Sequence, residues 1–471
     1  MAGDIEALFE SEDGIGLAAL VRRRAISADE LLTAALSRIA RVEPELQSLT
    51  RIVASPPAAA LAGPFAGVPF VVKELMAECA GWATSLGSAF FAGDPPASAD
   101  SAAVARMRRA GLRIVGRTKT SEFGIAPTTE PRFGGPVRNP WNTALSPGGS
   151  SGGSAALVAA RALPLAHATD GGGSIRIPAA LCGLYGLKPS RGRVSLAPIG
   201  ETLAGAGTQL CVSLSVRDSA ALLDALCGPE PGDPYGLAPP GVPFLRAVER
   251  DPPLSRIAVQ RRPRQGPEPD PAVLRTLEEA AHLLESLGHR IEEAEPDISF
   301  EELEAAFFTI MAASMWTNIA NRAGSRSLSE GDFEPVTWAY AEAGHATAAA
   351  DYIRAVQTFH RIGRRLGAFF ERHDILLTPT IARASLPLGA LRTDAPLDAF
   401  RAAMAPMIAF TAVHNAAGTP AASLPLGWSH EGLPIGVQIA GPPGSEATLL
   451  ALSGQLERAQ PWRGRRPPLS A

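Results

Sequence analysis

Three lysines, Lys73, Lys119 and Lys188, stand among 43 basic residues, so arginine supplies nearly every cation of this chain. Arginine keeps its proton inside a protein, whereas a lysine stripped of water becomes a neutral amine that can accept one. Lys73 is placed for that chemistry, because it ends the apolar run Gly67-Val68-Pro69-Phe70-Val71-Val72, which reads as a buried strand carrying an amine inward. Lys119 and Lys188 read equally well as leftover surface residues. Two glycine clusters bring serines, one running from Ser146 to Ser154 and including Ser150 and Ser151, the other running from Thr169 to Pro178 and including Ser174. A Gly/Ser cluster alone is usually a flexible linker, yet each of these is pinned between apolar elements. Gly171, Gly172 and Gly173 open conformations closed to other residues, so successive amides ending at Ser174 can converge on a carbonyl oxygen as it gains negative charge. Ser174 as nucleophile needs a proton acceptor, and no histidine offers itself. Lys73 acting through Ser150 supplies one: the amine takes the Ser150 proton while Ser150 takes that of Ser174. The relay demands a lysine held uncharged by burial.

Positioning such groups takes an alternation of strands and helices. Ser27-Ala28-Asp29-Glu30 fits a capping box and opens a helix over 27–43, within a helical N-terminal segment of about 1–55. The Lys73 strand follows, then a helix near 101–110 closed by Gly111 and a strand over 112–116. Further along, 155–162 reads as helix, 163–169 as strand, 216–227 as helix, 256–260 as strand, 270–287 as helix and 289–294 as strand. Such alternation predicts an α/β fold with helices packed on a largely buried sheet. Residues 228–253 are rich in Pro and Gly, but the same pattern resumes beyond them, so they read as a surface loop inside one domain of 471 residues. From 300 to 372 the pattern is mostly helical and aromatic, a segment suited to forming a pocket. Strand-like runs over 421–428 and 436–440 and a helix over 445–458 end the chain. His167, in a strand-like run, reads as a core histidine with a hydrogen-bond partner.

Composition narrows the function classes. A net charge of −4 argues against a nucleic-acid footprint, and the basic stretch 256–264 is diluted by prolines and reads as a solvated loop. No run of 18 apolar residues appears, and Asp4, Glu6, Glu10 and Glu12 replace the basic patch of an export signal, so a cytoplasmic protein with no membrane partner is expected. Cys79, Cys182, Cys211 and Cys227 lack zinc-site or disulfide-framework spacing and read as small buried residues; with no histidine ligand motif, neither metal nor cofactor is expected.

Read in order, Gly67-Val68-Pro69 with Lys73, Ser146-Pro147-Gly148-Gly149-Ser150-Ser151-Gly152-Gly153, Asp170 to Arg176, and Gly186-Leu187-Lys188-Pro189 resemble the successive motifs of the amidase signature family. Gly418-Thr419-Pro420-Ala421 and Gly432-Leu433-Pro434-Ile435-Gly436-Val437-Gln438 extend the resemblance toward the C-terminus. It implies an α/β/α sandwich around a mixed twisted sheet, and a cofactor-free hydrolase that cleaves amide C–N bonds through an acyl-enzyme. It also implies catalytic roles for Lys73, Ser150 and Ser174, a cis peptide before Ser150, oxyanion amides at Gly171, Gly172, Gly173 and Ser174, and support from Ser151 and from an Asp170–Arg176 pair. Substrate-shaping positions would be Met76, Ala77, Thr128, Met315 and Trp316. The stretch 332–388 is most similar to the branch containing 6-aminohexanoate cyclic-dimer hydrolase and other xenobiotic amide hydrolases. The expected partner is a small-molecule amide or carbamate, with ester and urethane cleavage as variants and a homodimer left open as the assembly. One rival is an A-type glutaminase subunit of a tRNA-dependent amidotransferase. Another is an α/β-hydrolase built on the overlapping GxSxG patterns from Gly148 and Gly149, with His414 or His430 as base; a nucleophile elbow must follow a strand, and here prolines precede it.

Overall fold

The computed structural model describes residues 2–57 and 61–471, so Met1 of the N-terminal segment lies outside the described residues. Among these residues eleven strands form two sheets. The smaller has β1 (Leu49–Ile52), β2 (Pro69–Lys73) and β3 (Arg113–Thr118) in the order β1-β3-β2, with β1 antiparallel and β2 parallel to β3. The larger is built from β4 (Leu165–Asp170), β5 (Tyr185–Lys188), β6 (Thr208–Ser213), β7 (Arg256–Val259), β8 (Arg290–Glu293), β9 (Ile375–Pro379), β10 (Ala421–Trp428) and β11 (Pro434–Ala440), in the order β4-β6-β5-β10-β11-β9-β7-β8. Its pairs are antiparallel from β4 to β9 and parallel from β9 to β8, so the sheet is mixed. Strands from both sides of the 228–253 stretch share this sheet.

Side-chain alternation sets the layers, because neighbours along a strand point to opposite faces. Ile257, Val259 and Leu377 join a core with Leu277 and Leu284 of the helix Pro271–Ser286 and Leu449 and Leu456 of the helix Glu446–Ala459. Ala258 and Leu376 face the other way, onto Phe307 and Ile310 of the helix Phe300–Ala323 and Phe359 and Ile362 of the helix Ala349–Phe370. Helices thus cover both faces, giving an α/β sandwich. The same alternation in β10 and β11 sends Leu424, Val437 and Ile439 into the large core and leaves Ser423 and Gln438, both fully buried, for the opposite face.

Several expectations need correction. The N-terminal segment holds helices Ala2–Ser11, Gly14–Arg22 and Ala28–Leu46, the last with the expected Ser27–Glu30 capping box, but Leu49–Ile52 is a strand on β3 and not helix. Thr and Ile in that stretch favour extended backbone once Gln47 has ended the helix in the left-handed region. In the basic stretch, 256–259 is strand β7, and the loop character begins after it, with Arg262 paired to Glu268. Lys119 and Lys188 are buried, not superficial. The Lys73 strand also belongs to the small sheet. It lies beside β4 of the large one, where His167 Nδ1 accepts the Lys73 backbone N–H at 3.2 Å and Nε2 meets Gln209 Oε1 at 3.1 Å. His167 is therefore the hydrogen-bonded core histidine that the sequence suggests, and burial pushes its pKa down to about 3.

Candidate active site

β2 ends at Lys73 inside the protein, and every residue of that strand is buried. Its Nζ lies 2.7 Å from Ser150 Oγ, 3.0 Å from Ser151 Oγ and 2.8 Å from Thr169 Oγ1. Burial drives the lysine pKa well below its ordinary value near 10.5, against a smaller upward pull from the Asp170 carboxylate. A neutral amine has two N–H donors and one lone pair. Ser151 Oγ donates to the Thr169 carbonyl (3.2 Å) and accepts the Thr169 N–H (3.3 Å), so it can only accept from Lys73. The lone pair is left for the hydroxyl of Ser150 or Thr169. Thr169 is a site residue that sequence reasoning misses; its place one residue before Asp170 on a strand puts the two side chains on opposite faces, which is the available signal.

The serine cluster is held by local features. The Gly149–Ser150 peptide is cis, and Thr129 Oγ1 donates to the Gly148 carbonyl at 2.9 Å. The helix Gly152–Ala159 follows at once, every residue of it buried.

The second cluster turns around a buried ion pair. Arg176 donates to Asp170 through Nε (3.0 Å) and Nη2 (2.9 Å), and its remaining bonds go to the Thr411 carbonyl, Gln438 Oε1 and Asn415 Oδ1 at 2.9, 2.9 and 2.6 Å. Both partners are wholly buried. Burial alone would raise the Asp170 carboxyl, but the Arg176 guanidinium overcomes it and holds the group at about 2. Asp170 also accepts the N–H of Gly173 at 2.7 Å and of Ile175 at 3.2 Å, bracing the turn from within. That corrects one expectation: the Gly173 amide is turned onto Asp170 and does not border the cavity. The amides of Gly171, Gly172 and Ser174 meet no acceptor among the described residues, and these three residues do border it.

That cavity measures about 600 Å³. Ser150, Thr169 and Ser174 lie on its wall, and Ser174 forms no side-chain hydrogen bond among the described residues. One face of the helix Phe300–Ala323 lines it, from Phe307, Met311 and Met315 to Asn318 and Asn321. Four of the chain's seven methionines, Met76, Met311, Met315 and Met404, reach it, which makes an adaptable apolar wall. The helix Pro335–His345 contributes Tyr340, but no residue of the helix Ala349–Phe370 reaches the space; Phe359 backs Phe307 at 5.4 Å instead.

Two of the five candidate substrate positions, Met76 and Met315, line the cavity. Ala77 does not, because it is fully buried behind Met76 with its carbonyl taken by Arg117 Nη2 at 3.0 Å. Thr128 is equally buried and bonds to Ser146 Oγ at 2.8 Å. Trp316, one position round the helix from Met315, faces His345, with ring centres 4.4 Å apart. His414, the base of the rival esterase reading, is buried against Thr419. Among the described residues no cluster of His, Cys, Asp and Glu is arranged to hold a metal ion, and no helix is long and apolar enough to cross a membrane.

A family profile described as Amidase matches residues 22–450. The 6-aminohexanoate-cyclic-dimer hydrolase of Paenarthrobacter ureafaciens is 36% identical, with 97% of each chain covered. A solved structure of 6-aminohexanoate cyclic dimer hydrolase complexed with substrate superposes with a TM-score of 0.92 at 34% identity, covering 98% of this chain and 99% of that one. The A subunit of the glutamyl-tRNA(Gln) amidotransferase from Thermotoga maritima gives 0.82 at 26% identity, covering 98% and 99%. With its motifs, sheet and near full-length relatives in agreement, this chain belongs to the amidase signature family and is an amide hydrolase of that family's 6-aminohexanoate-cyclic-dimer-hydrolase-like branch.

Proposed function

We propose that the chain hydrolyses small, largely apolar amides, cyclic or linear, through an acyl-enzyme on Ser174, with Ser150 and Lys73 as the proton relay. One observation carries this reading: a buried amine, its pKa driven well below the ordinary value, sits 2.7 Å from Ser150 at the wall of a cavity that also presents Ser174 and unpartnered amides. In the proposed course Ser174 Oγ bonds to the carbonyl carbon as its proton passes to Ser150 and that of Ser150 to Lys73. The oxygen of the adduct is held by the amides of Gly171, Gly172 and Ser174. Collapse breaks the C–N bond, the relay returns a proton to the leaving amine, and water then releases the acyl group by the same path.

The walls support the substrate class. Phe307, Met311, Met315 and Met404 suit an aliphatic or aryl body, whereas the amidotransferase reading would need a site shaped for the polar side chain of glutamine. Carbamates and esters present the same carbonyl electrophile and are proposed as further substrates, which includes urethanes. The reading also takes residues 1–471 as one cytoplasmic amidase domain, supported by strands from both halves of the chain sharing one sheet; light scattering tests its assembly as a homodimer. Mass spectrometry after brief exposure to a panel of amides, esters and carbamates tests the chemistry. An acyl adduct on Ser174, absent from Ser174→Ala, is expected; turnover retained by a folded Ser174→Ala enzyme would remove the mechanism.

A further inference from the structure

The glycine turn has one peptide unit tied at both ends. The N–H between Gly172 and Gly173 donates to Asp170 Oδ1 at 2.7 Å, and the carbonyl of the same unit accepts Thr411 Oγ1 at 2.6 Å. Thr411 is fully buried and does not line the cavity, so it cannot touch a substrate. A hydroxyl has one proton to give, and the Ile408 carbonyl, at 3.3 Å, is the weaker claimant on it. Packing adds to the bond: Gly173 has φ +140°, and a β-carbon there would lie 2.5 Å from Thr411 Oγ1, so the threonine occupies the space a side chain would have taken.

The bond matters because of what an untied unit would do. Between two glycines no side chain resists rotation of this unit, and a flip would turn its carbonyl oxygen onto the Asp170 carboxylate and swing the flanking Gly172 and Ser174 residues, which border the cavity, out of place. Amides that are displaced or free to wander stabilise a developing oxyanion less than amides held in place. We propose that Thr411 is a positioning residue for the oxyanion pocket, its hydroxyl holding the Gly172 carbonyl so that the flanking amides of Gly172 and Ser174 stay aimed at the cavity. Arg176 anchors the strut in turn, since Nη1 donates to the Thr411 carbonyl at 2.9 Å. The inference rests on the reading of Ser174 as nucleophile.

The test compares Thr411→Val, nearly isosteric but without the hydroxyl, with Thr411→Ser, which restores it. A fluorophosphonate probe reports pocket quality directly: the Ser174 Oγ–P bond forms, P–F breaks, fluoride leaves and the serine proton passes to the relay. The labelling rate and kcat on an anilide should fall by roughly the 10²-fold or more seen when one oxyanion donor is lost, with KM within about threefold, and Thr411→Ser should recover most of both. Should Thr411→Val fail to fold, Thr411→Ala carries the comparison. A valine or alanine variant labelled as fast as the wild type, a serine variant no better than valine, or a loss confined to KM would overturn the inference. Wild-type enzyme left unlabelled at Ser174 would instead overturn the nucleophile assignment.

Discussion

Replacing Lys73 with methionine separates the state of the amine from everything else about it. In the folded protein burial favours the neutral amine, whereas in the unfolded chain the group titrates near its ordinary 10.5. The unfolded state therefore binds more protons between 10.5 and the much lower folded value. Over that window wild-type stability falls as pH falls, by up to about 1.4 kcal/mol per pH unit for one proton. Methionine has no proton to bind and escapes the loss. Removing the amine also strands two buried hydroxyls, Ser150 and Thr169, at about 1–3 kcal/mol each, while Ser151 keeps its two bonds to Thr169. That second effect does not vary with pH. Equilibrium urea unfolding of both proteins at pH 7, 8, 9 and 10 should give stability curves that diverge in favour of the variant as pH drops, whatever their offset. Turnover by the variant should be lower by about 10²–10⁴-fold, or about 2.7–5.4 kcal/mol of barrier. Parallel curves would mean that the folded protein carries a charged Lys73, which cannot act as a base.

Asp170→Asn leaves Arg176 charged and buried without its carboxylate, and thermal unfolding should register about 3–5 kcal/mol of destabilisation. The stability that this carboxylate gives is present above its ordinary 3.8 and lost as pH falls through about 2, so the variant's acid limb should be flatter in that range. Met315→Ala should raise KM several-fold for an apolar anilide by removing cavity wall, while Trp316→Ala, facing His345, should leave KM unchanged; steady-state kinetics of the pair reads the difference. Gly173→Ala should reduce kcat by at least 10²-fold, since its β-carbon would collide with Thr411 and Ile177 at a φ of +140°; a near wild-type kcat would contradict the geometry of the turn.

The legible parts of the site were those compressed into short stretches. The lysine closing an apolar run, the serines among glycines and the Asp170–Arg176 spacing can each be read from neighbours in the chain. Thr411, Asn415 and Gln438 could not, because they meet Arg176 from 235 to 262 residues away, Gln438 on β11 and the other two at the start of and within the short helix Ala412–Ala417. Helical faces were legible in kind but not in phase: Met315 and Trp316 are adjacent in sequence, and the helix sends one into the cavity and the other behind it. Lys119 and Lys188 read as well on the surface as inside, because a lone lysine carries no local mark of burial. Burial lowers both pKa values, that of Lys188 to about 7. The strand–helix alternation foretold a sheet, but not that Lys73 would reach the site from a second one.

Arg176 has a further consequence during synthesis. One of its partners, Gln438, leaves the ribosome 262 residues later, an interval of roughly 13–50 s at about 5–20 residues per second. Until then the guanidinium has no finished shell, and a charged group is not sealed in a half-made interior. The glycine turn thus stays unset while the lysine and both serines are already exposed to the cell. Under the proposed mechanism, a nascent or prematurely ended chain would hold every reactive group yet lack the brace that aims them.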